Sequence, residues 1–383
     1  MEEMYLAAVC AVVPGLGRRR LPALIGYFGS AEALYKASAA ELQASGLCTA
    51  RQAAAFTAGR SPGLPESIAG YCRRSGVRLL TWDCAAYPAA LRMTADPPPV
   101  LYVRGCLPGG DYAAAVVGSR SASPYGLRAA AHYAAALAAE GVPVVSGGAR
   151  GVDTAAHEAC LRAGGETVAV LGCGPDTVYP AENRELFARI AGQGAVITEY
   201  APGMPPLAVN FPARNRIIAG LCQAVIVAEA ARRSGAIITA NIAADEGRDV
   251  YCVPGNVFDG ASAGCHDLIR TGARLTDSPG DILQDMLNWR LVRKTPQQMN
   301  IFDADTASGT AEETAAAKPG GAPAKQLSPL GEKLWAILGG GARPLETLVE
   351  QSGADLTAVS MELLELQVAG LVDEDRARRY YRI

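Results

Sequence analysis

The sequence of 383 residues predicts an α/β protein whose core is a Rossmann-like parallel sheet, flanked by an N-terminal helical domain and a C-terminal winged-helix domain. Three observations support this fold class. Apolar strands alternate with helical stretches in the middle of the chain, the first 60 residues show only short helical patterns, and the last 55 residues combine three helices with a strand pair.

The N-terminal domain, predicted over residues 1–75, is of the helix-hairpin-helix or SAM-like type. Its signal is the Pro-Gly-Leu-Gly turn at residues 14–17, which lies between two helical patterns and is followed by three arginines at 18–20. Glycines let backbone N–H groups approach a phosphate, so the turn is a candidate DNA contact. Such hairpins also occur where two helices only pack together, and both interpretations stay open.

The Rossmann-like domain is predicted over residues 76–292. Two strands, at 77–82 and 97–105, lead into it, and six further apolar strands alternate with helices. Strands of this kind give a parallel sheet that helices cover on both faces. The six strands are AAAVVG (113–118), VPVVSGG (142–148), ETVAVLG (166–172), AVITEY (195–200), AVIVAEA (224–230) and DVYCVPG (249–255).

Residues 293–327 form a predicted flexible linker, because they are rich in Ala, Thr, Pro and Gly and contain little to bury. Within the linker, Gln298–Phe302 resembles the short peptide by which bacterial proteins dock on the replication sliding clamp. The alternative is that its apolar side chains pack on the Rossmann-like domain.

Residues 328–383 are the predicted winged-helix domain. A third helix that reads DNA needs Arg, Lys, Asn or Gln toward the groove. The third helix here has Asp355, Glu362 and Glu365 with a single Gln367, and acids repel phosphate. We therefore expect this domain to contact protein, although the basic tail at residues 376–382 is suited to touch a DNA backbone.

The composition excludes several classes of protein. Half of the residues are apolar and 19% are charged, which excludes a largely disordered chain. No apolar stretch reaches the ~20 residues of a membrane span, and no basic leader precedes the first apolar run, so we expect a cytoplasmic protein without a membrane contact. The net charge of −3 excludes binding of nucleic acid by bulk attraction, so polyanions need a local pocket.

Motifs for metals, cofactors and common catalytic centres are missing. The 10 cysteines are scattered without a CxxC pair, and the 3 histidines offer no paired ligands. No GxGxxG follows the first strand, and GxxxxGK[ST] and HExxH do not occur. We therefore predict no cofactor, no metal and no catalytic residue.

Glycine and polar residues are concentrated in four loops that lie between predicted strands and helices. The carboxyl ends of parallel strands meet at one edge of a sheet, where open α/β folds bind ligands. Backbone N–H groups, helix N-termini and arginine side chains there predict a pocket for several phosphates. A tight turn explains any single glycine equally well, so the prediction depends on the loops converging. The candidate residues are Gly118, Ser119, Arg120, Gly147, Gly148, Asn183, Arg184, Phe211, Arg214, Asn215 and Arg216.

Such a pocket suits either an enzyme or a DNA-binding protein. An enzyme needs a general acid or base among the arginines, and the candidates are Asp153, Glu199 and Glu229, none with an evident partner at catalytic spacing. A single-strand binder needs an aromatic platform beside its phosphate contacts. Phe211 lies directly before a basic run and fits that role, with Tyr179 as a second candidate.

The same loops resemble those of a known family. Long and ordered motifs occur between about residues 90 and 290, namely GSRSASPYG (118–126), SGGARGVDTAAHEACL (146–161), GCGPDTVYPAENREL (172–186), FPARNRIIAGL (211–221), VAEAARRSGAIITANIAADEGRDVYCVPG (227–255) and GASAGCHDLIRTGA (260–273). These motifs closely resemble those of the DprA/Smf family, and the layout of the flanking domains is similar too. His266 stands where the family usually has Asn.

The resemblance implies a recombination mediator of natural transformation that is not an enzyme. Members of this family bind and protect incoming single-stranded DNA, help to load the RecA recombinase and act as homodimers. The resemblance places the DNA contact on the candidate residues already named. If four arginines each neutralise one phosphate, the logarithm of the binding constant should fall with the logarithm of salt concentration at a slope of roughly −3.

Two other functions are kept as alternatives. A nucleotide-binding or nucleotide-cleaving enzyme on the same fold would turn over a mononucleotide and would need Asp153 or Glu199. A transcription regulator would bind duplex DNA through the winged helix, and its binding would survive deletion of residues 90–290. The acidic third helix argues against the regulator.

Overall fold

The computed structural model describes residues 1–12, 20–109, 112–294, 328–339, 341, 343–368, 371–374 and 379–382. The predicted turn at residues 14–17, with Arg18 and Arg19, lies outside the described residues. So do most of the predicted linker and its Gln298–Phe302 peptide. The chain divides into two compact units, Met1–Gln298 and Met299–Ile383.

A nine-stranded sheet forms the centre of the first unit, in the order β1-β2-β6-β5-β4-β3-β7-β8-β9. All strands from β6 to β9 along this order are parallel, and β1 and β2 extend the sheet antiparallel at one edge. The structure has the predicted α/β fold, and the antiparallel pair is the part that the sequence pattern did not show. The strands are β1 Arg78–Thr81, β2 Val100–Gly105, β3 Ala114–Gly118, β4 Val144–Ser146, β5 Thr167–Val170, β6 Ala195–Thr198, β7 Ala224–Glu229, β8 Asp249–Cys252 and β9 Arg274–Leu275.

Helices cover both faces of this sheet because successive strand residues point to opposite sides. Val116 of β3 packs into the cluster that contains buried residues of α8 and α9, whereas its neighbour Val117 packs into the cluster that contains those of α11 and α12. These helices and the others of the sheet region are α7 Ala89–Arg92, α8 Pro124–Ala139, α9 Val152–Arg162, α10 Arg184–Gln193, α11 Asn210–Leu221, α12 Gly235–Asp245, α13 Ala263–Arg270 and α14 Pro279–Lys294.

The N-terminal helices share one hydrophobic cluster with the antiparallel edge of the sheet. Leu34 and Phe56 from the helices pack in the same cluster as Val100 and Tyr102 of β2. Capping boxes at Ser38 and at Thr49 begin two of the helices. The helices are α1 Glu2–Val12, α2 Leu21–Phe28, α3 Ala31–Lys36, α4 Ala39–Ala44, α5 Ala50–Gly59 and α6 Leu64–Ser75.

The second unit contains three helices and a three-stranded antiparallel sheet in the order β10-β12-β11, which is the predicted winged-helix arrangement. Leu334, Leu348 and Leu363 form part of its core. Of the predicted basic tail, Arg382 donates to the carbonyl oxygen of Trp335 at 2.6 Å. The elements are α15 Pro329–Leu338, β10 Arg343–Pro344, α16 Leu345–Ser352, α17 Leu356–Val368, β11 Val372–Glu374 and β12 Arg379–Arg382.

Within the described ranges, no helix is long and apolar enough to cross a membrane. The predicted domain boundaries at residues 75, 292 and 327 remain proposals. The helix α6 ends at Ser75 and β1 begins at Arg78, while α14 continues to Lys294.

Candidate nucleic-acid interface

A wide opening in the first unit lies at the carboxyl ends of the parallel strands, where the chain order of the strands reverses between β3 and β7. Open α/β sheets bind ligands at this position. The opening, which we call the main cleft, has a volume of about 640 Å³. Its lining includes the predicted residues Gly118, Ser119, Arg120, Phe211, Arg214 and Asn215, together with Tyr179, Asp153, Arg233, Ser234 and Gly235.

An aromatic ring surrounded by cations lies in this cleft. Phe211, in the first turn of α11, is half-buried, and its ring centroid is 5.3 Å from that of Tyr179. The Arg120 guanidinium carbon lies 5.1 Å from the Phe211 centroid, and that of Arg214 lies 5.9 Å away. A side chain at Gly172 would collide with the ring, since its Cβ would be 2.9 Å from the Phe211 ring. The ring is thus fixed by its neighbours and presents a platform to the cleft.

Arg214 is a positioning residue beneath the ring rather than a free surface cation. Its side chain is buried, and its guanidinium donates to the carbonyl oxygen of Gly147 at 2.7 Å and to that of Val170. Burial lowers the pKa of Arg214 to about 10, which leaves the group protonated at neutral pH. The bonds join the ends of β4 and β5 under Phe211. Within the described part of the chain, the buried Nε of Arg214 has no hydrogen-bond acceptor.

Side chains of the protein hold the loop after β4. Asp153 Oδ2 accepts the backbone N–H groups of Gly147 at 3.1 Å and of Ala149 at 3.2 Å. Burial raises the pKa of Asp153, and the nearby charge of Arg214 opposes that rise. Asn183 Nδ2 donates to the carbonyl oxygen of Gly148 at 3.0 Å. The predicted residues Gly147, Gly148 and Asn183 therefore shape the cleft from behind its surface.

The remaining predicted arginines differ in their surroundings. Arg184 is exposed at the start of α10 and outside the cleft lining. Arg216 also lies outside the lining, because its guanidinium binds both carboxylate oxygens of Glu199, at 2.8 and 3.0 Å, and a carboxylate oxygen of Asp96 at 3.0 Å. The structure brings Arg120 and Arg214 to the ring and holds Arg216 in an ion pair.

Arg233 is a lining residue that the sequence prediction did not select. It is exposed, and it precedes Ser234 and Gly235 at the N-terminus of α12. The adjacent Arg232 instead pairs with Asp267 at 2.7 Å. Because both arginines follow one strand end, their sequence position gave no means to tell which one faces the cleft. Helix N-termini and arginines both favour bound anions.

The acidic candidates for catalysis are all engaged by protein groups. Asp153 holds the loop after β4, and Glu199 holds Arg216. Glu229 accepts the backbone N–H of Ser123 at 2.8 Å, at the N-terminus of α8. His157 is buried, and burial lowers its pKa to about 3. No group of three or more His, Cys, Asp or Glu able to hold a metal ion occurs among the residues that the structure describes.

Comparisons with known proteins agree with this architecture. A sequence model of the family described as DNA recombination-mediator protein A matches residues 78–287, and one of the DprA winged helix domain matches residues 316–375. The chain is 36% identical to protein Smf of Synechocystis over 319 residues, which cover 80% of each protein.

Two solved structures are similar to the chain. The X-ray structure of DNA processing protein A from Streptococcus pneumoniae has a TM-score of 0.62 at 35% identity and covers 74% of this chain and 97% of that one. A structure of DNA processing protein A from Helicobacter pylori, reported for its single-stranded DNA binding mode, has a TM-score of 0.50 at 28% identity and covers 56% of this chain and 98% of that one. The fold, the motifs and these matches lead to one conclusion: the chain belongs to the DNA recombination-mediator protein A family, named DprA or Smf, as the sequence motifs predicted.

Proposed function

We propose that this protein binds single-stranded DNA in the main cleft, and that it protects incoming DNA and helps to load RecA recombinase during natural transformation. Membership of the recombination-mediator family supports the mediator role. The observation that supports the binding mode best is the Phe211 ring, which lies within 5.1 Å of the Arg120 guanidinium and 5.3 Å of the Tyr179 ring. Aromatic platforms beside cations are the usual means of holding single strands.

In this proposal a base stacks near Phe211, and the neighbouring phosphates bind exposed arginines. Each stacked base contributes ~1–3 kcal/mol in single-strand binding. Arg120 and Arg233 face the cleft, and Arg184 lies at the start of α10, next to the Asn183 that holds the loop after β4. We call these three the exposed arginines.

The other predicted residues are proposed to position the cleft. Arg214 supports the aromatic ring, Asn183 supports the loop after β4, and Asn215 donates to the carbonyl oxygen of Gly235 at 3.3 Å. Gly118 leaves no room for a side chain, since a Cβ there would lie 2.6 Å from Val152. Because Arg216 is bound by carboxylates, we leave it out of the proposed DNA contacts.

The proposal includes binding without catalysis, a homodimer and a cytoplasmic location. Support for binding without catalysis comes from Asp153, Glu199 and Glu229, whose carboxylates are engaged in holding the fold and are poorly placed to shuttle protons. A nucleotide-cleaving enzyme would need one of them to be released. The sliding-clamp contact of Gln298–Phe302 is a separate hypothesis. Unchanged recovery of the clamp in a pull-down after deletion of the peptide would reject it.

The test is fluorescence anisotropy with a labelled oligothymidylate and a matched duplex. Wild type is compared with Arg120→Ala and Phe211→Ala. The controls are Arg51→Ala, an exposed arginine, and Tyr27→Ala, an exposed aromatic residue, both in the N-terminal helices. We expect preference for the single strand, a loss of about 5-fold or more for Phe211→Ala, and unchanged binding by the controls. Turnover of a mononucleotide, or cleft variants that bind like wild type, would refute the proposal.

A further inference from the structure

A second cleft lies beside the main cleft, at the same reversal of strand order. Its volume is about 510 Å³, and its lining includes Ser123, Tyr125, Glu229, Asn256 and Asp259. Lining residues of the two clefts are neighbours where β3 and β7 end. Ser119 lines the main cleft, Glu229 lines the second, and the backbone N–H of Ser119 donates to the carbonyl oxygen of Glu229 at 2.8 Å. A strand that follows the carboxyl edge of the sheet therefore passes from one cleft to the other.

The loop that lines one side of the second cleft carries an exposed aromatic residue. Phe258 is 94% exposed, and it lies between the lining residues Asn256 and Asp259. The loop is a defined turn: Asn256 Oδ1 accepts the backbone N–H of Phe258 at 3.0 Å, and Asp259 Oδ1 accepts that of Ala261 at 3.0 Å. These bonds fix the backbone on either side of Phe258, and the ring lies in water, where a stacked partner would remove apolar surface from solvent.

The lining of the second cleft selects the kind of ligand. Asp259 and Glu229 bring negative charge, which disfavours a phosphate. The Glu229 carboxylate already accepts hydrogen bonds from Ser123, so Asp259 is the carboxylate that can accept a hydrogen bond from the amino group of a base, as in pairing of Asp with cytosine N4. Hydroxyl and amide groups of Ser123, Tyr125 and Asn256 make the lining too polar for the dry core of a protein interface. A base edge with stacking on Phe258 satisfies both the polar and the aromatic features.

We propose that the second cleft binds a further nucleobase of the same single strand, stacked on Phe258, and that it favours a base with an amino group over thymine. This rests on the proposed function, because the strand reaches the second cleft from the main one. The phosphates stay on the exposed arginines, and the base edge turns toward Asp259.

The experiment measures anisotropy of the full chain with oligo(dC) and oligo(dT) of about 4 and about 16 nucleotides, the range that one single-strand module covers. Phe258→Ala should lose about 5-fold or more on the longer strands and nothing on the shorter ones. Tyr27→Ala, an exposed aromatic in the N-terminal helices, is the matched control and should bind like wild type. Wild type should prefer the longer oligo(dC) to oligo(dT), and Asp259→Asn should remove this preference.

Several outcomes would overturn the second site. If Phe258→Ala binds the longer strands like wild type while Phe211→Ala still loses affinity, the second site is overturned and the proposed binding in the main cleft is not affected. An equal loss on short and long strands would place Phe258 in the main cleft. A changed molecular mass of Phe258→Ala in sedimentation, with unchanged DNA affinity, would assign the ring to a protein contact. No binding of wild type to any strand would overturn both the second site and the proposed function.

Discussion

The ion pair of Arg216 gives the sharpest test of the structure against the sequence prediction. The Arg216 side chain is 14% exposed and that of Glu199 is 3% exposed. Both carboxylate oxygens of Glu199 are held by one guanidinium, at 2.8 and 3.0 Å, and Asp96 binds the same guanidinium at 3.0 Å. Arg216→Ala leaves the buried Glu199 charge without this partner. Removal of one member of a buried pair costs about 3–5 kcal/mol.

The expected loss of unfolding free energy is large enough to detect as a lower melting temperature. A change of 1 kcal/mol in the free energy of unfolding shifts the Tm of a domain of about 150–250 residues by about 2–4 °C. Arg216→Ala should therefore lower the Tm by roughly 6–20 °C. Arg120→Ala, an exposed matched control, should leave it unchanged. Adding Glu199→Gln to Arg216→Ala should restore part of the Tm, because an amide replaces the buried charge. Calorimetry gives the Tm of wild type, Arg216→Ala, Arg120→Ala and the double variant.

DNA binding by the same variants completes the test. At a temperature well below the lowered Tm, Arg216→Ala should keep nearly the wild-type affinity for oligothymidylate, whereas Arg120→Ala should lose affinity. An unchanged Tm with weakened DNA binding for Arg216→Ala would refute the structural role and would return Arg216 to the phosphate contacts predicted from sequence.

Three further predictions follow from the cleft and its supports. If Arg120, Arg184 and Arg233 supply the phosphate contacts as proposed, the salt slope of single-strand binding should be roughly −2 in an anisotropy titration, and a slope near zero would exclude phosphate contacts. Burial lowers the pKa of His157 from 6.5 to about 3, so between these pH values the unfolded state binds more protons than the folded state. The free energy of unfolding should therefore fall as the pH drops from 7 toward 4, by up to about 1.4 kcal/mol per pH unit. Urea titrations should show a weaker fall for His157→Gln than for wild type, and equal falls would contradict the assignment. Gly148→Ala should destabilise the protein and weaken binding, since Gly148 has φ +65° and a Cβ there would lie 2.6 Å from Phe187; wild-type melting and affinity would contradict this.

Much of the fold was predictable because the pattern of apolar residues within each short segment shows which faces of that segment are buried. The strand that begins at Ala114 is apolar on both faces, and such a strand needs helices on both sides of the sheet. The sequence has a helical segment between each strand of this kind and the next. The antiparallel pairing of Val100–Gly105 was not predictable, because an apolar strand has the same pattern in either direction.

The position of the cleft was predictable, but the role of each residue in it was not. Loops at the carboxyl ends of parallel strands converge by topology, so Arg120 and Phe211 were placed on one edge from sequence alone. Arg214 and Arg216 are two residues apart on one helix and therefore face different directions. Sequence distance cannot show that Asp96 and Glu199 meet Arg216, since the contacts join residues 120 and 17 positions apart.

The bonds that Asp153 and Asn183 make to the loop after β4 have a consequence for the proposed binding of a single strand in the main cleft. Polar groups already satisfied by the protein have no reason to rearrange, so the protein gives up little conformational freedom on binding. The ordering cost then falls on the nucleic acid. A strand whose bases are stacked on one another must give up that stacking first, whereas an unstacked strand does not. A rigid binding site of this kind would select single strands by how easily their bases unstack, in addition to the contacts that the strands make with the protein.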